Sequence, residues 1–369
     1  MKKRVLIVSF KIGLGHYKAA EAIEEKLRQN HPELDIKHVD MVDYISLLGG
    51  SIYQKGYLAI TDKAPELWRM LYHQTPAYSA KLRLIFDLAN TAKFRKLIFA
   101  HEPDLVICTH FIPASLLSHW RETLNLETKL AFILTDFESH PHLIIPGLDL
   151  YSVAADSVKH ELVKNKIDSS KIAVTGIPVK ANFTKTYEKS KIRQKLGLKD
   201  KFTVLLMSGG FGVGEIEDIF SRLQESTDDL QIVAVAGYNK ELEKDWQKVA
   251  KKSPKVNKIF GFTDQVAELM ASADVIVSKA GGLTVSESLC IGTPLVIFKP
   301  TPGQEEANTR YLVSRAAAYH AETVKGILNI INRVFLGQED IMAMKKNIAK
   351  IAKPHAAEIV ALKVVDLIK

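Results

Sequence analysis

Short runs of consecutive apolar residues recur along the chain, each followed by a segment in which apolar positions return every third or fourth residue. The first half holds VLIVSF (Val5–Phe10), DIKHV (Asp35–Val39), LVICT (Leu105–Thr109), LAFIL (Leu130–Leu134), LYSVA (Leu150–Ala154) and IAVT (Ile172–Thr175). The second half holds TVLLMS (Thr203–Ser208), QIVAVA (Gln231–Ala236), KIFGF (Lys258–Phe262), VIVS (Val275–Ser278) and PLVIF (Pro294–Phe298). Unbroken runs rich in Val and Ile suit strands covered on both faces, and their alternation with helix-length segments predicts parallel sheets built from βαβ units. A helix from about Tyr17 to Gln29, apolar or small at Ala19, Ala20, Ile23 and Leu27, fits between the first two strands. The polar stretch GIPVKANFTKTYEKSKIRQKLGLKD (Gly176–Asp200) has few strand signals and marks a boundary. The expected architecture is α/β: two Rossmann-like domains facing a cleft, over residues 1–180 and 181–353. Residues 338–369 read as two helices separated near Pro354, and the last of them, 354–369, is able to pack back on the first domain.

Composition narrows the function classes. With 369 residues, 47% hydrophobic and 25% charged, the chain can bury two cores and is neither a disordered nor a fibrous sequence. The basic start MKKR precedes an apolar run too short for a signal peptide, and no run approaches the ~20 residues of a membrane span. Cys108 and Cys290 lie in apolar runs, which points to buried free thiols in a reducing compartment. The net charge of +8 is not gathered into a tail, so nucleic acid is not an indicated partner. The local exception is residues 52–100, net +5, where Lys81, Arg83, Arg95 and Lys96 are interleaved with aromatic residues including Trp68. That pattern fits contact with an anionic membrane surface, with a solvated amphipathic helix pair as the alternative.

Three glycine turns stand between strand and helix. Gly13-Leu14-Gly15-His16 combines a tight turn with a histidine, but Lys18 replaces the third glycine of a dinucleotide fingerprint. Ser208-Gly209-Gly210-Phe211-Gly212 offers successive backbone N–H groups that can cradle a diphosphate. Gly281-Gly282-Leu283-Thr284 opens a helix carrying Glu287, a carboxylate suited to ribose hydroxyls, although the T-x-x-E spacing of Thr284 and Glu287 is also that of a capping box. Downstream, Pro300-Thr301-Pro302-Gly303-Gln304-Glu305-Glu306-Ala307-Asn308 is rich in the amides and carboxylates that grip sugar hydroxyls.

VSKAGGLTVSE followed by P-x-P-G-Q-E-E-A-N, with the early GLGHYKAA, resembles the family of processive diacylglycerol glucosyltransferases and monogalactosyldiacylglycerol synthases, related to the lipid II-forming N-acetylglucosaminyltransferase. The resemblance runs nearly end to end. It implies the GT-B fold, a UDP-sugar donor in the second domain, a diacylglycerol acceptor at the first, and inversion at the sugar carbon with no cofactor or catalytic metal. By the same resemblance, the Gly209, Gly210 and Gly212 loop with Ser208 cradles the diphosphate, and Phe262 and Thr263 edge the uracil. Glu287 takes the ribose beside Gly281, Gly282 and Thr284, while Gln304, Glu305 and Asn308 line the donor sugar. His16 lies beside the acceptor hydroxyl with Gly13 and Gly15, Asp136 is a second candidate base or a holder of the His16 ring, and Lys180 meets phosphate. After Thr135-Asp136-Phe137-Glu138-Ser139-His140 the chain runs Pro141-His142-Leu143, where close relatives commonly carry a tryptophan.

No D-x-D motif stands near a strand end, so metal independence is expected. A UDP-glucose-dependent transferase to diacylglycerol, cytoplasmic and peripheral on the inner face of the membrane, is the resulting expectation. UDP-galactose as donor, an undecaprenyl-linked acceptor, a UDP-sugar epimerase of the same fold and a nicotinamide oxidoreductase stay open as alternatives.

Overall fold

The computed structural model describes residues 2–11, 13–46, 77–209, 216–226 and 228–369, with backbone alone for 77–83 and 256–257. The chain forms two compact units, Met1–Ala181 with Pro302–Gln304 and Lys353–Lys369, and Asn182–Thr301 with Glu305–Ala352.

The first unit runs β1 (Arg4–Ser9), α1 (Leu14–Asn30), β2 (Asp35–Asp40), α2 (Ala77–Asn90), α3 (Ala92–His101), β3 (Leu105–Cys108), α4 (Phe111–Leu124), β4 (Lys129–Ile133), β5 (Leu150–Val153), α5 (Asp156–Lys164) and β6 (Ile172–Val174). Its six strands pair in the order β2-β1-β3-β4-β5-β6, all parallel. Side chains of β1 alternate between two cores: Leu6 and Val8 face α3 and α4, while Val5 and Ile7 face α1 with Ala20, Ile23 and Leu27. Helix α1 starts at Leu14, earlier than periodicity predicts, because extended Gly13 serves as its N-cap.

The second unit runs α6 (Lys189–Lys195), β7 (Thr203–Met207), α7 (Ile216–Glu225), β8 (Gln231–Val235), α8 (Lys240–Ala250), β9 (Val256–Phe260), α9 (Val266–Ser272), β10 (Val275–Ser278), α10 (Gly282–Ile291), β11 (Leu295–Phe298), α11 (Gln304–Val313), β12 (Ala318–Ala321), α12 (Val324–Phe335) and α13 (Ile341–Ile351). Its six strands are ordered β12-β11-β10-β7-β8-β9, again all parallel. The edge strand β12, sequence AYHA and mostly half-buried, has no apolar run and goes unseen by sequence pattern. Cys108 is buried, whereas Cys290 is half-buried, and neither forms a disulfide.

Two features tie these units internally. The last helix, α14 (Ala356–Asp366), returns to the first unit and packs Val360, Ala361, Val364 and Val365 into the core beside α1. Its approach requires Gly176, which has φ +88° and where any Cβ would overlap the Lys353 side chain. In the second unit, buried Arg193 of α6 donates to Asp274 (2.6 Å), to Asp200 (2.8 Å) and to the Ser272 carbonyl (3.0 Å). Asp274 also accepts from the Thr203 N–H at 2.7 Å and pairs with Lys189 at 2.8 Å, so this cluster clamps α6 to the bases of β7 and β10.

Removing one member of a buried ion pair leaves its partner uncompensated. Arg193→Met is therefore expected to destabilise the second unit by about 3 kcal/mol, seen as a lower urea midpoint by circular dichroism. An unmoved midpoint would show that Lys189 and the Thr203 N–H suffice for Asp274.

Candidate active site

In an open parallel sheet, ligands bind outside the carboxyl ends of strands, where the order reverses direction. In the first sheet β1 is flanked by β2 and β3, and in the second β7 and β10 are neighbours, so these strands mark the two switch points. The first and third chemistry-bearing turns follow β1 and β10, and Ser208-Gly209 follows β7.

His16 occupies the first turn of α1, just inside the Gly13 cap and next to Gly15. Its Nδ1 lies 2.7 Å from the Thr109 carbonyl at the end of β3 and 2.9 Å from Thr135 Oγ1 after β4. A carbonyl can only accept, so the proton of the neutral ring resides on Nδ1 and Nε2 keeps the lone pair. Burial lowers His16 to about 4, with the Thr109 bond opposing, so the ring is neutral at physiological pH. Asp136 is half-buried and adjoins Thr135 in sequence. The bonds that hold the His16 ring come from Thr109 and Thr135.

A column of rings continues from His16. His110 meets it edge-on at 4.8 Å and stacks on Phe111 at 4.4 Å, and Phe111 stacks on His142 at 5.7 Å. His110 also caps α4, its Nδ1 accepting from the Ile112 N–H. His142 therefore stands in the stretch where a tryptophan was sought, within the ring cluster beside His16. Lys180, expected to meet phosphate, is instead paired with Glu21 of α1 at 2.9 Å, as is Lys18. Burial opposes the effect, yet the two ammonium groups hold Glu21 below the usual carboxylate range.

In the second unit, Ser208 is buried, and its N–H and hydroxyl both donate to the Val235 carbonyl. Gly209 follows with φ +77°, a left-handed turn, and no described residue comes within 4 Å of a Cβ there. The Gly281 N-cap of α10 carries no side-chain cap, and Thr284 falls inside the first turn. The capping-box reading is thereby overturned: the N-cap is Gly281, which has no side chain, and Thr284 lies three residues further in. Glu287 sits half-buried one turn on. Glu305 accepts from the Thr301 N–H at 2.6 Å and lies 3.8 Å from the Cβ direction of Gly281. Asn308 is fully buried, and its amide donates to the Ala280 carbonyl at 2.9 Å; it braces the turn before α10 from within. Gln304, half-buried, is the last residue of the Pro302–Gln304 stretch assigned to the first unit. Phe262 is exposed and stacks on exposed Tyr238 at 4.4 Å, while Thr263 accepts from the Gln265 N–H.

Trp68, Gly210 and Gly212 lie outside the described residues, as do the side chains of Lys81 and Arg83 on α2. Arg95 and Lys96 are exposed on α3, on a helix pair that also exposes Ile85 and Phe99. Arg95 lines a crevice of about 290 Å³ with Leu88, Trp120 and Leu124. Among the described residues no helix is long and apolar enough to cross a membrane, and no group of three or more His, Cys, Asp or Glu could hold a metal.

Sequence reasoning missed Thr109, His110, Phe111 and Tyr238. Their common signal is position: each follows the carboxyl end of a strand.

Residues 16–179 match the sequence model of monogalactosyldiacylglycerol (MGDG) synthase, and residues 212–360 match the glycosyltransferase family 28 C-terminal domain. A processive diacylglycerol beta-glucosyltransferase of Bacillus licheniformis is 26% identical over 371 residues, covering 99% of this chain and 95% of that one. MurG of Acinetobacter baumannii is similar in structure, with a TM-score of 0.65 at 15% identity over 99% of both chains. A UDP-GlcNAc 2-epimerase from Neisseria meningitidis, bound to UDP-GlcNAc, reaches 0.63 at 15% identity over 98% of this chain and 100% of that one. At such identity these two likenesses concern the fold, which is GT-B and serves transferases and epimerases alike. Over nearly its whole length the chain is thus similar to glycosyltransferases, with an MGDG-synthase match in its first part and a family 28 C-terminal match in its second.

Proposed function

We propose that the protein is an inverting glycosyltransferase that moves glucose from UDP-glucose to the free hydroxyl of 1,2-diacylglycerol, and then to the glycolipid so formed. The relatives' name supports the donor and acceptor. The observation that carries the chemistry is the His16 ring, whose Nδ1–H is committed to Thr109 and whose Nε2 therefore keeps its lone pair. The acceptor oxygen forms its bond to the anomeric carbon as the carbon–oxygen bond to UDP breaks on the opposite face. His16 Nε2 takes the hydroxyl proton, and UDP leaves with the electron pair. In this reading, which for the Gly209, Gly210 and Gly212 loop rests on the resemblance alone, the growing charge on the diphosphate meets that loop and the backbone N–H groups at the start of α10, where one preorganised donor is worth about 3–4 kcal/mol. Glu287 would hold the ribose, Phe262 and Thr263 the uracil edge, and Glu305 with Gln304 the sugar hydroxyls. Asn308 keeps the Ala280 turn in place, and Lys180 acts through Glu21 rather than on phosphate. Asp136 stays a candidate for contact with the acceptor.

A lipid acceptor requires work at a bilayer. The exposed Ile85 and Phe99 beside Arg95 and Lys96 support peripheral attachment to an anionic inner leaflet from the cytoplasmic side.

Incubating the protein with UDP-glucose or UDP-galactose and diacylglycerol vesicles, with products resolved by chromatography, tests the reading directly. Glucolipid is the expected product, and no glycolipid from either donor refutes it. His16→Ala is expected to lose roughly 10²–10⁴-fold in turnover while still binding UDP by calorimetry. Turnover within a few-fold of wild type would remove His16 from the base role.

The pH profile carries an independent signature. The reactive form is the neutral ring, which persists until pH falls to about 4. kcat/KM should therefore stay level from pH 8 down to roughly 5.5, and an acid limb centred near an ordinary histidine value of about 6.5 would contradict the buried geometry.

Arg95→Gln/Lys96→Gln is expected to weaken flotation with anionic vesicles by about 2 kcal/mol, some thirty-fold, at about 1 kcal/mol per charge. Binding indifferent to lipid charge would put the attachment elsewhere.

A further inference from the structure

In the exposed ring pair of the second unit, Phe262 has a role in the donor reading above and Tyr238 has none. Tyr238 follows β8 and Phe262 follows β9, with ring centroids 4.4 Å apart and planes within 9° of parallel. Both are large apolar rings left on the surface, Tyr238 with 47% and Phe262 with 41% exposure. Folding alone gives no reason to hold two such rings rigidly in water.

Yet the turns that present them are tightly built. Gly237 has φ +62° and redirects the chain directly before Tyr238. Asn239, directly after, caps α8 by accepting from the Leu242 N–H at 3.0 Å. Before Phe262, a Cβ at Gly261 would come 2.5 Å from Glu243 Oε2, so the α8 carboxylate lies directly against this turn. After Phe262, Thr263 Oγ1 accepts from the Gln265 N–H at 3.2 Å. The two turns are also coupled, since Ala236 N–H donates to the Phe260 carbonyl at 2.8 Å. The pair thus stands preorganised along the same carboxyl edge as the Gly209 turn, with β8 next to β7 and β9 next to β8. At about 4.8 Å per strand, the Phe262 strand lies roughly 10 Å from the Gly209 strand, a span that a nucleoside diphosphate bridges from phosphate to base.

We propose that Tyr238 is a positioning residue for the nucleobase: stacked on Phe262, it holds that ring flat as the surface against which the pyrimidine of the donor lies. A flat exposed π-face selects a flat partner, and stacking of a base on an aromatic ring depends on its plane more than on hydrogen bonding. Tyr238 acts through Phe262, so its aromatic ring matters and its hydroxyl does not.

The inference rests on the donor reading above, and the experiment separates the two. UDP binding is measured by calorimetry, and KM for UDP-glucose and kcat by product chromatography, on wild type, Tyr238→Ala, Tyr238→Phe and Phe262→Ala. Tyr238→Ala is expected to weaken UDP binding and raise KM about ten-fold with kcat within about three-fold of wild type. Tyr238→Phe should restore both, and thermal midpoints should barely move because the ring is exposed. Failure of wild type to bind UDP overturns the donor reading itself. Wild-type binding with Tyr238→Ala unchanged, or weakened by Phe262→Ala alone, overturns only the role of Tyr238. Loss of kcat at constant KM, or no rescue by phenylalanine, overturns it as well.

Discussion

A sheet whose strands all run one way has two unlike edges, and everything chemical in this protein follows from that. Each parallel connection must leave from a carboxyl end and return to an amino end, so the turns opening onto helix N-termini gather on one side. Where neighbouring strands send their connections apart, a crevice forms that no side chain is obliged to fill. The reversals at β1–β3 and β7–β10 fall at the two places where glycine replaces bulk at a helix entrance. His16 and Gly281 stand at those entrances.

Main-chain atoms do work in both crevices that side chains do in many enzymes. The Thr109 carbonyl sets which nitrogen of His16 bears the proton, a task often given to a carboxylate. A neutral acceptor does this without the charge that would raise the basicity of the ring, which agrees with its depressed value. In the second unit the N-terminus of α10 has only glycine at its cap, so its dipole and N–H groups are not spent on a side chain. Buried Asn308, donating to Ala280, holds that entrance from behind.

The position of the turns was legible because parallel strands announce themselves as unbroken apolar runs, and chemistry can reside only where those runs stop. Fold class and most strands were readable on that ground; β12 was not, since AYHA is a half-buried edge with no run to see. Side-chain commitments were far less legible. T-x-x-E looks the same whether threonine caps a helix or, like Thr284, sits within its first turn. Lys180 has the look of a phosphate ligand until a glutamate far away in sequence, Glu21, is brought beside it. Asn308 sits in a stretch rich in amides and acids, and only tertiary packing reveals that it is wholly enclosed. Thr109 and Tyr238 carry no local signal beyond their place after a strand.

The return of α14 to the first unit has a consequence for synthesis. Half of that unit's interior, the side bearing Val5, Ile7 and Ile23, is closed by Val360, Ala361 and Val364. A nascent chain that has emerged through β6 therefore has α1 alone on that flank, and the residues that complete its cover are synthesised only after the entire second unit.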